Sequence, residues 1–230
     1  MMSDQVLLLG IGNVLWADEG FGVRAIEAFN ECYEVPDSVR LMDGGTQGIY
    51  LVPHVQEADI LVVFDAIDYG LNPGTLKVIR DQAVPSFMGA KKMSLHQTGF
   101  QEVLAMAEML GRCPQKLLLI GVQPEELEDY GGSLRPSVKA QIQPALEIAV
   151  AYLQEQGIQV CRRSGQATAE TLAHHSIALN DYESRRPSEE DACRLGDPRV
   201  LQSGQVVFDP KAVTAEPLSY SVDLDKRRQD

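Results

Sequence analysis

Three acidic side chains and one histidine in this chain sit where strand-like runs give way to loops: Glu19, Asp43, Asp65 and His96. Glu19 follows shortly after Gly10-Ile11-Gly12, Asp43 precedes Gly44-Gly45, Asp65 closes the run ILVVFD, and His96 ends a loop. A carboxylate directly after ILVVF is costly to place unless it is solvated or paired. Two carboxylates and one imidazole drawn from separate segments form a ligand set for a transition metal, one that leaves positions open for water or substrate. Glu19, Asp65 and His96 are therefore the candidate metal ligands, and Asp43 is a further acid at a strand end. Each has an ordinary role too. An acid in a first helical turn favours the helix dipole. Asp43 and Asp65 can hydrogen-bond their own loops, and His96 can be a loop residue bonded to backbone. His54, His174 and His175 are expected to have no metal role.

These residues need a scaffold that gathers strand ends. Gln5–Gly12 is a continuous apolar run, as in a strand covered on both faces. A helix is expected from Asp18, with Asp18 as its N-cap and Val23, Ile26 and Phe29 on one face. Val39–Asp43 and Ile60–Asp65 read as further strands, with a helix at 47–58 between them. Gly74–Arg80 alternates like an edge strand. After a loop from Val84 to His96, a helix carries Phe100, Val103, Leu104, Ala107 and Leu110. Lys116–Val122 is the last strong strand, and a closing helix carries Val138, Ile142, Leu146, Ala149 and Leu153. The alternation predicts an α/β fold of three α-β-α layers: a mostly parallel, twisted sheet of about five strands flanked by helices. Ligands bind such sheets beyond the carboxyl ends of the strands, where Glu19, Asp43 and Asp65 fall.

The chain is 230 residues long, with 33 Asp+Glu against 20 Lys+Arg and a formal net charge of −13. Nucleic acid is an unsuitable partner for so acidic a chain. No apolar run approaches the roughly 18 residues of a membrane span, and the N-terminus lacks the basic start of a signal peptide. A cytoplasmic location is expected. Cys32, Cys113, Cys161 and Cys193 make no CxxC pair and are expected to be reduced. Beyond Ser164 the periodicity dissolves, and residues 165–230 hold 8 basic and 12 acidic residues among scattered apolar ones. The expected division is a domain at 1–164 and a weakly structured C-terminal extension at 165–230, with one short strand possible at Val206–Phe208. A dinucleotide-binding turn at Gly10-x-Gly12 is a weak alternative. The third glycine of that motif would fall on Leu15, and Asp18-Glu19 puts negative charge where pyrophosphate would sit.

Five segments together resemble the nickel–iron hydrogenase maturation endopeptidases of the HyaD/HupD type. They are GIGNVLWADEGFGVR at 10–24, MDGGTQG at 42–48, FDAIDYGLNPGT at 64–75, KKMSLHQTGF at 91–100 and IGVQPEELEDYGGSL at 120–134. The likeness covers about the first 160 residues. It implies an endopeptidase that removes a C-terminal peptide from the precursor of the hydrogenase large subunit after nickel insertion. The family's metal-binding residues fall on Glu19, Asp65 and His96, and a further acid linked to cleavage or recognition falls on Asp43. Nickel would be supplied by the precursor, whose metal becomes the recognition element. Water could be activated by the metal or by a carboxylate such as Asp43. A non-enzymatic, nickel-dependent docking protein for the same precursor is the alternative. The loop Val84–His96, with Lys91 and Lys92, is expected to move on docking.

Overall fold

A computed structural model describes residues 4–84, 95–164, 171–172 and 177–186, with the backbone alone at 95–99. Most of the loop before His96, His174, His175, Cys193 and the run Val206–Phe208 lie outside the described residues. The strands are β1 (Val6–Ile11), β2 (Tyr33–Glu34), β3 (Val39–Gly45), β4 (Ile60–Ala66), β5 (Leu76–Arg80), β6 (Lys116–Val122) and β7 (Cys161–Arg162). The helices are α1 (Phe21–Cys32), α2 (Val52–Glu57), α3 (Leu95–Met109), α4 (Pro136–Lys139), α5 (Ile142–Glu155) and α6 (Leu179–Arg185). The main sheet runs β3-β1-β4-β6-β5. All its pairs are parallel except β5 with β6. The expected mostly parallel sheet is thus found, with the Gly74–Arg80 run supplying its antiparallel edge. β2 and β7 form a separate two-stranded ribbon.

Alternation along the strands sorts the core into two layers. Val6, Leu8, Ile60, Val62, Phe64, Leu118 and Ile120 pack with α1 and α5 on one face. Leu7, Leu9, Ile11, Leu61, Val63, Leu117 and Leu119 pack with α2 and α3 on the other. Both faces are covered, which is why the strand sequences are apolar throughout. Contact between α1 and the sheet is very close. A Cβ at Gly22 would lie 2.1 Å from the Phe64 carbonyl oxygen and 2.2 Å from that of Ile11, so only glycine fits there.

Local details depart from the sequence expectation for identifiable reasons. The turn Ala17–Gly20 is a 3-10 helix, α1 starts only at Phe21, and Gly20 occupies the cap position with no side-chain cap. Asp18 is not the N-cap, because its carboxylate is used elsewhere. The segment at 47–58 splits into a 3-10 turn, Gly48–Leu51, and α2, whose first turn holds Pro53. The closing helix is likewise two helices. Pro144 has no N–H to donate to the carbonyl four residues back, so the α-helix restarts at Ile142. Leu110 lies past the end of α3 and is exposed. Beyond Ser164, helix α6 is formed within the segment expected to be weakly structured.

Candidate functional site

The strand order reverses at β1, which lies between β3 and β4. The crevice expected at such a switch point lies beyond the carboxyl ends of β1 and β4. Asp65 is the penultimate residue of β4, opposite Gly121 of β6. By alternation with Leu61 and Val63 its side chain faces the α2–α3 layer. Asp65 is fully buried, and neither carboxylate oxygen has a hydrogen-bond partner among the described residues. Burial, opposed by the Ala66 N–H and reinforced to a smaller degree by the charge of Glu19, holds its carboxyl well above the usual range. The phenol of Tyr69 sits beside it. A Cβ at Gly121 would lie 2.0 Å from the Tyr69 hydroxyl oxygen, and burial plus the Asp65 charge push that hydroxyl's pKa up.

Glu19 reaches the same crevice from the 3-10 turn after β1. Burial raises its carboxyl to about 6. The turn is seated by Gly12, whose φ is +138°, and a Cβ there would lie 1.8 Å from the Glu19 carbonyl oxygen. Gly10 in turn accommodates the Gly22 carbonyl of α1. The Gly10-x-Gly12 pair thus brings the Glu19 turn and α1 onto the strand, and the room beside Gly12 is filled by protein backbone. Ala17 holds a left-handed φ of +39° within this turn, an uncommon conformation for a residue with a side chain.

Two residues position the site in a way the sequence did not reveal. Asp18 is fully buried, and its Oδ2 accepts the N–H groups of Glu125 and Glu126, both at 2.9 Å, while Oδ1 accepts that of Arg135 at 2.7 Å. The Asp18 N–H donates back to the Glu126 carbonyl at 3.1 Å. One carboxylate thereby ties the Glu19 turn to the loop after β6. Trp16 and Tyr130 continue that seam, with ring centroids 5.2 Å apart. Gln123 is the second. Its Oε1 accepts the N–H groups of Tyr69 at 2.7 Å and Leu71 at 3.1 Å, and its Nε2 donates to Asp68 at 3.0 Å. It fixes the loop after β4. Both lie in segments matched to the resemblance, GIGNVLWADEGFGVR and IGVQPEELEDYGGSL, but their partners are more than fifty residues away in sequence, so spacing alone did not reveal them.

Asp43 belongs to a different group. It alternates with Val39 and Leu41, whose side chains join the α1–α5 layer, so it lies across the sheet from Asp65. Its Oδ1 accepts the Gly45 N–H at 2.9 Å. Burial raises its carboxyl, opposed by that hydrogen bond and by Arg24. Arg24, only 3% exposed, pairs with Glu27 at 2.9 Å. Burial also raises Glu27, with Arg24 opposing and Asp43 reinforcing the shift. The structure therefore joins Glu19 with Asp65 and places Asp43 with Arg24 and Glu27. His96 falls in the first turn of α3, on the layer that Asp65 faces, but its side chain lies outside the described residues. Among the described residues no three His, Cys, Asp or Glu side chains gather closely enough to hold a metal ion. No described helix is long and apolar enough to cross a membrane.

The family model for hydrogenase maturation proteases matches residues 23–152. The chain belongs to the hydrogenase maturation protease family. The hydrogenase expression/formation protein HoxM of Azotobacter vinelandii is 63% identical over 201 residues, 87% of the present chain and 96% of its own. A match of that length within 230 residues necessarily runs through α6. The hydrogenase 2 maturation protease of Escherichia coli K12 is 43% identical over 160 residues, 69% of this chain and 96% of its own. That span is shorter than the distance along the chain from β1 to α6. The solved hydrogenase maturating endopeptidase HybD from E. coli superposes with a TM-score of 0.66 at 42% identity, covering 69% of this protease and 98% of that chain. The present protein is thus a peptidase of hydrogenase maturation in fold and family.

Proposed function

We propose that this protease removes a C-terminal peptide from the precursor of the nickel–iron hydrogenase large subunit, and that nickel already in the precursor is what it recognises. The observation that carries this reading is Asp65: two carboxylate oxygens, fully buried, unpartnered among the described residues and facing a second raised acid. A buried carboxylate left without hydrogen bonds is costly. A divalent cation shared with Glu19 would satisfy both oxygens and remove the repulsion between the acids. The hard oxygens of Glu19 and Asp65 suit a cation with open positions, and His96, heading α3 on the same layer, would add a nitrogen ligand. Nickel held by the precursor is part of the substrate here. Without it the two acids repel each other and the precursor docks poorly, so selectivity is a difference of affinities.

A bound cation polarises a nearby carbonyl or acidifies water. The protein's own contribution lies at Asp43. Its Oδ1 is oriented by Gly45, and Arg24 favours its ionised form, as required of a group that takes a proton from attacking water. β1 separates β3 from β4, so the Asp43 and Asp65 backbones lie about 10 Å apart. Recognition of the metal and handling of the scissile peptide would then occupy neighbouring places along one bound chain. The test is mass spectrometry of purified protein mixed with nickel-loaded or nickel-free precursor. Loaded precursor should lose a C-terminal peptide and nickel-free precursor should stay intact. Asp65→Ala, Glu19→Ala and His96→Ala should each slow cleavage by about a hundredfold or more. Normal rates in all three overturn the recognition reading, and a wild type that binds but never shortens the precursor favours a docking protein.

A further inference from the structure

Helix α6 and the residues before it lie beyond residues 23–152, the part matched by the family model, yet they grip the site's supporting elements. Arg24 Nη1 donates to the carbonyl oxygen of Ile177. The guanidinium carbon lies 5.6 Å from the centroid of the Tyr182 ring. The Tyr182 hydroxyl donates to the Gly132 carbonyl at 3.2 Å. Glu183 accepts from the Ser133 hydroxyl at 2.8 Å and pairs with Lys139 Nζ at 2.7 Å. Those bonds hold the Glu183 carboxyl below its ordinary value despite the opposing effect of burial.

Two features show what this grip does. None of the residues of α6 is buried, so the helix adds little to the apolar core. Its contacts are directional ones to a guanidinium, a carbonyl, a hydroxyl and an ammonium, which fix orientation more than they stabilise the fold. The groups it holds also lie on both sides of the chemistry. Arg24 acts electrostatically on Asp43, and Nη2 of this buried guanidinium has no partner among the described residues. The Ile177 carbonyl adds a second acceptor to the Nη1 that pairs with Glu27, and the Tyr182 ring lies beside the guanidinium. Gly132 and Ser133 belong to the loop whose Arg135 N–H hangs on Asp18, next to Glu19.

We propose that the segment Ile177–Arg186 is a positioning element of the proteolytic site: it seats Arg24 beside Asp43 and holds the Asp129–Arg135 loop, making the C-terminal extension a working part of the protease. This rests on the reading that Asp43 serves in cleavage. The test compares full-length wild type with Tyr182→Phe and with the double variant Tyr182→Ala/Glu183→Ala, using nickel-loaded precursor at a temperature where circular dichroism shows each to be folded. In the double variant kcat falls about tenfold or more while KM changes less than about threefold, the pattern of misplaced groups. Tyr182→Phe keeps the ring over Arg24 and retains at least about half of the wild-type kcat. A double variant with kcat within about twofold of wild type, or above it, overturns the proposal. If the double variant does not fold, Tyr182→Ala alone takes its place under the same criteria. Amide exchange without precursor gives a second reading that does not depend on cleavage. Amides of residues 129–135 exchange about tenfold faster in the variant while β1, β4 and β6 stay protected, and unchanged protection at 129–135 overturns the proposal. A wild type that exchanges as expected but cuts nothing refutes the peptidase reading beneath it.

Discussion

Replacing Asp18 should damage this protein more than replacing any acid of the crevice. In Asp18→Ala three backbone N–H groups, those of Glu125, Glu126 and Arg135, lose their acceptor at once. Asp18 is fully buried, so the cavity left behind gives water little access. An unsatisfied buried donor costs about 1–3 kcal/mol, and more when the lost acceptor was charged. These three are only partly buried, which places each near the lower end and the sum at about 3–5 kcal/mol. That is a large share of the roughly 5–15 kcal/mol that holds a domain folded. Asp18→Asn should recover only part of the loss, because its amide –NH2 faces donors. The measurement is urea unfolding at pH 7.5, extrapolated to zero denaturant for wild type and both variants. The unfolding free energy should fall by about 3 kcal/mol or more in Asp18→Ala. A loss below about 1 kcal/mol would mean that water already serves those donors and that Asp18 does not tie the Glu19 turn to the loop after β6.

Glu19 should show the opposite sign. Its carboxyl is raised to about 6 from 4.5, so the folded state binds its proton more tightly than the unfolded state, and stability falls as pH rises through that window. Partial exposure reduces the effect to about 1 kcal/mol. Glu19→Gln should therefore be more stable than wild type by about that amount at pH 7.5 and no different at pH 4; equal stabilities at pH 7.5 would refute the assignment. Nickel ion added to the purified protein should bind about tenfold more weakly at pH 5 than at pH 7.5, because protons compete for Glu19. A pH-independent affinity in calorimetry would place the ion elsewhere. Gly22→Ala should cost about 3 kcal/mol or more, since its Cβ would meet two strand carbonyls at 2.1 and 2.2 Å. A variant with an unchanged urea midpoint would show that α1 can move off the sheet.

Much of this arrangement was legible in the sequence because apolar strands and a covered sheet leave a direct trace. ILVVFD and KLLLIGV read as interior strands, and the alternation of GTLKVIR pointed to an edge. Glu19 and Asp65 could be placed together because the switch-point rule concerns backbone ends, which strand order fixes. What stayed hidden depended on long-range hydrogen bonds. Asp18 has the residue type and position of an N-cap, and nothing nearby in sequence reveals that its acceptors are needed by Glu125, Glu126 and Arg135. The face of Asp43 was equally obscure. A residue at a strand's end looks the same from sequence whichever layer it points into, and only the parity with Val39 and Leu41 assigns it to the α1 side. Helix α6 escaped notice because it buries nothing, so it has no apolar periodicity to read.

The division of the acids between two faces has a thermodynamic consequence that separates proximity from mere co-localisation at one end of the sheet. Glu19 and Asp65 repel each other, and the charge of Glu19 contributes to the raised carboxyl of Asp65. Removing either charge relieves the same repulsion, so the gains from Glu19→Gln and Asp65→Asn cannot both be realised in full. At pH 7.5 the double variant should be less stable than the sum of the two single effects predicts, by about 0.5 kcal/mol or more. Asp43 and Asp65 have β1 between them and point into opposite layers, which leaves their charges poorly coupled. Asp43→Asn and Asp65→Asn should combine additively to within about 0.5 kcal/mol. Urea unfolding of the two cycles on the same protein decides between them. Additivity in the first cycle would mean that Glu19 and Asp65 do not share one crevice, and strong coupling in the second would place Asp43 inside it.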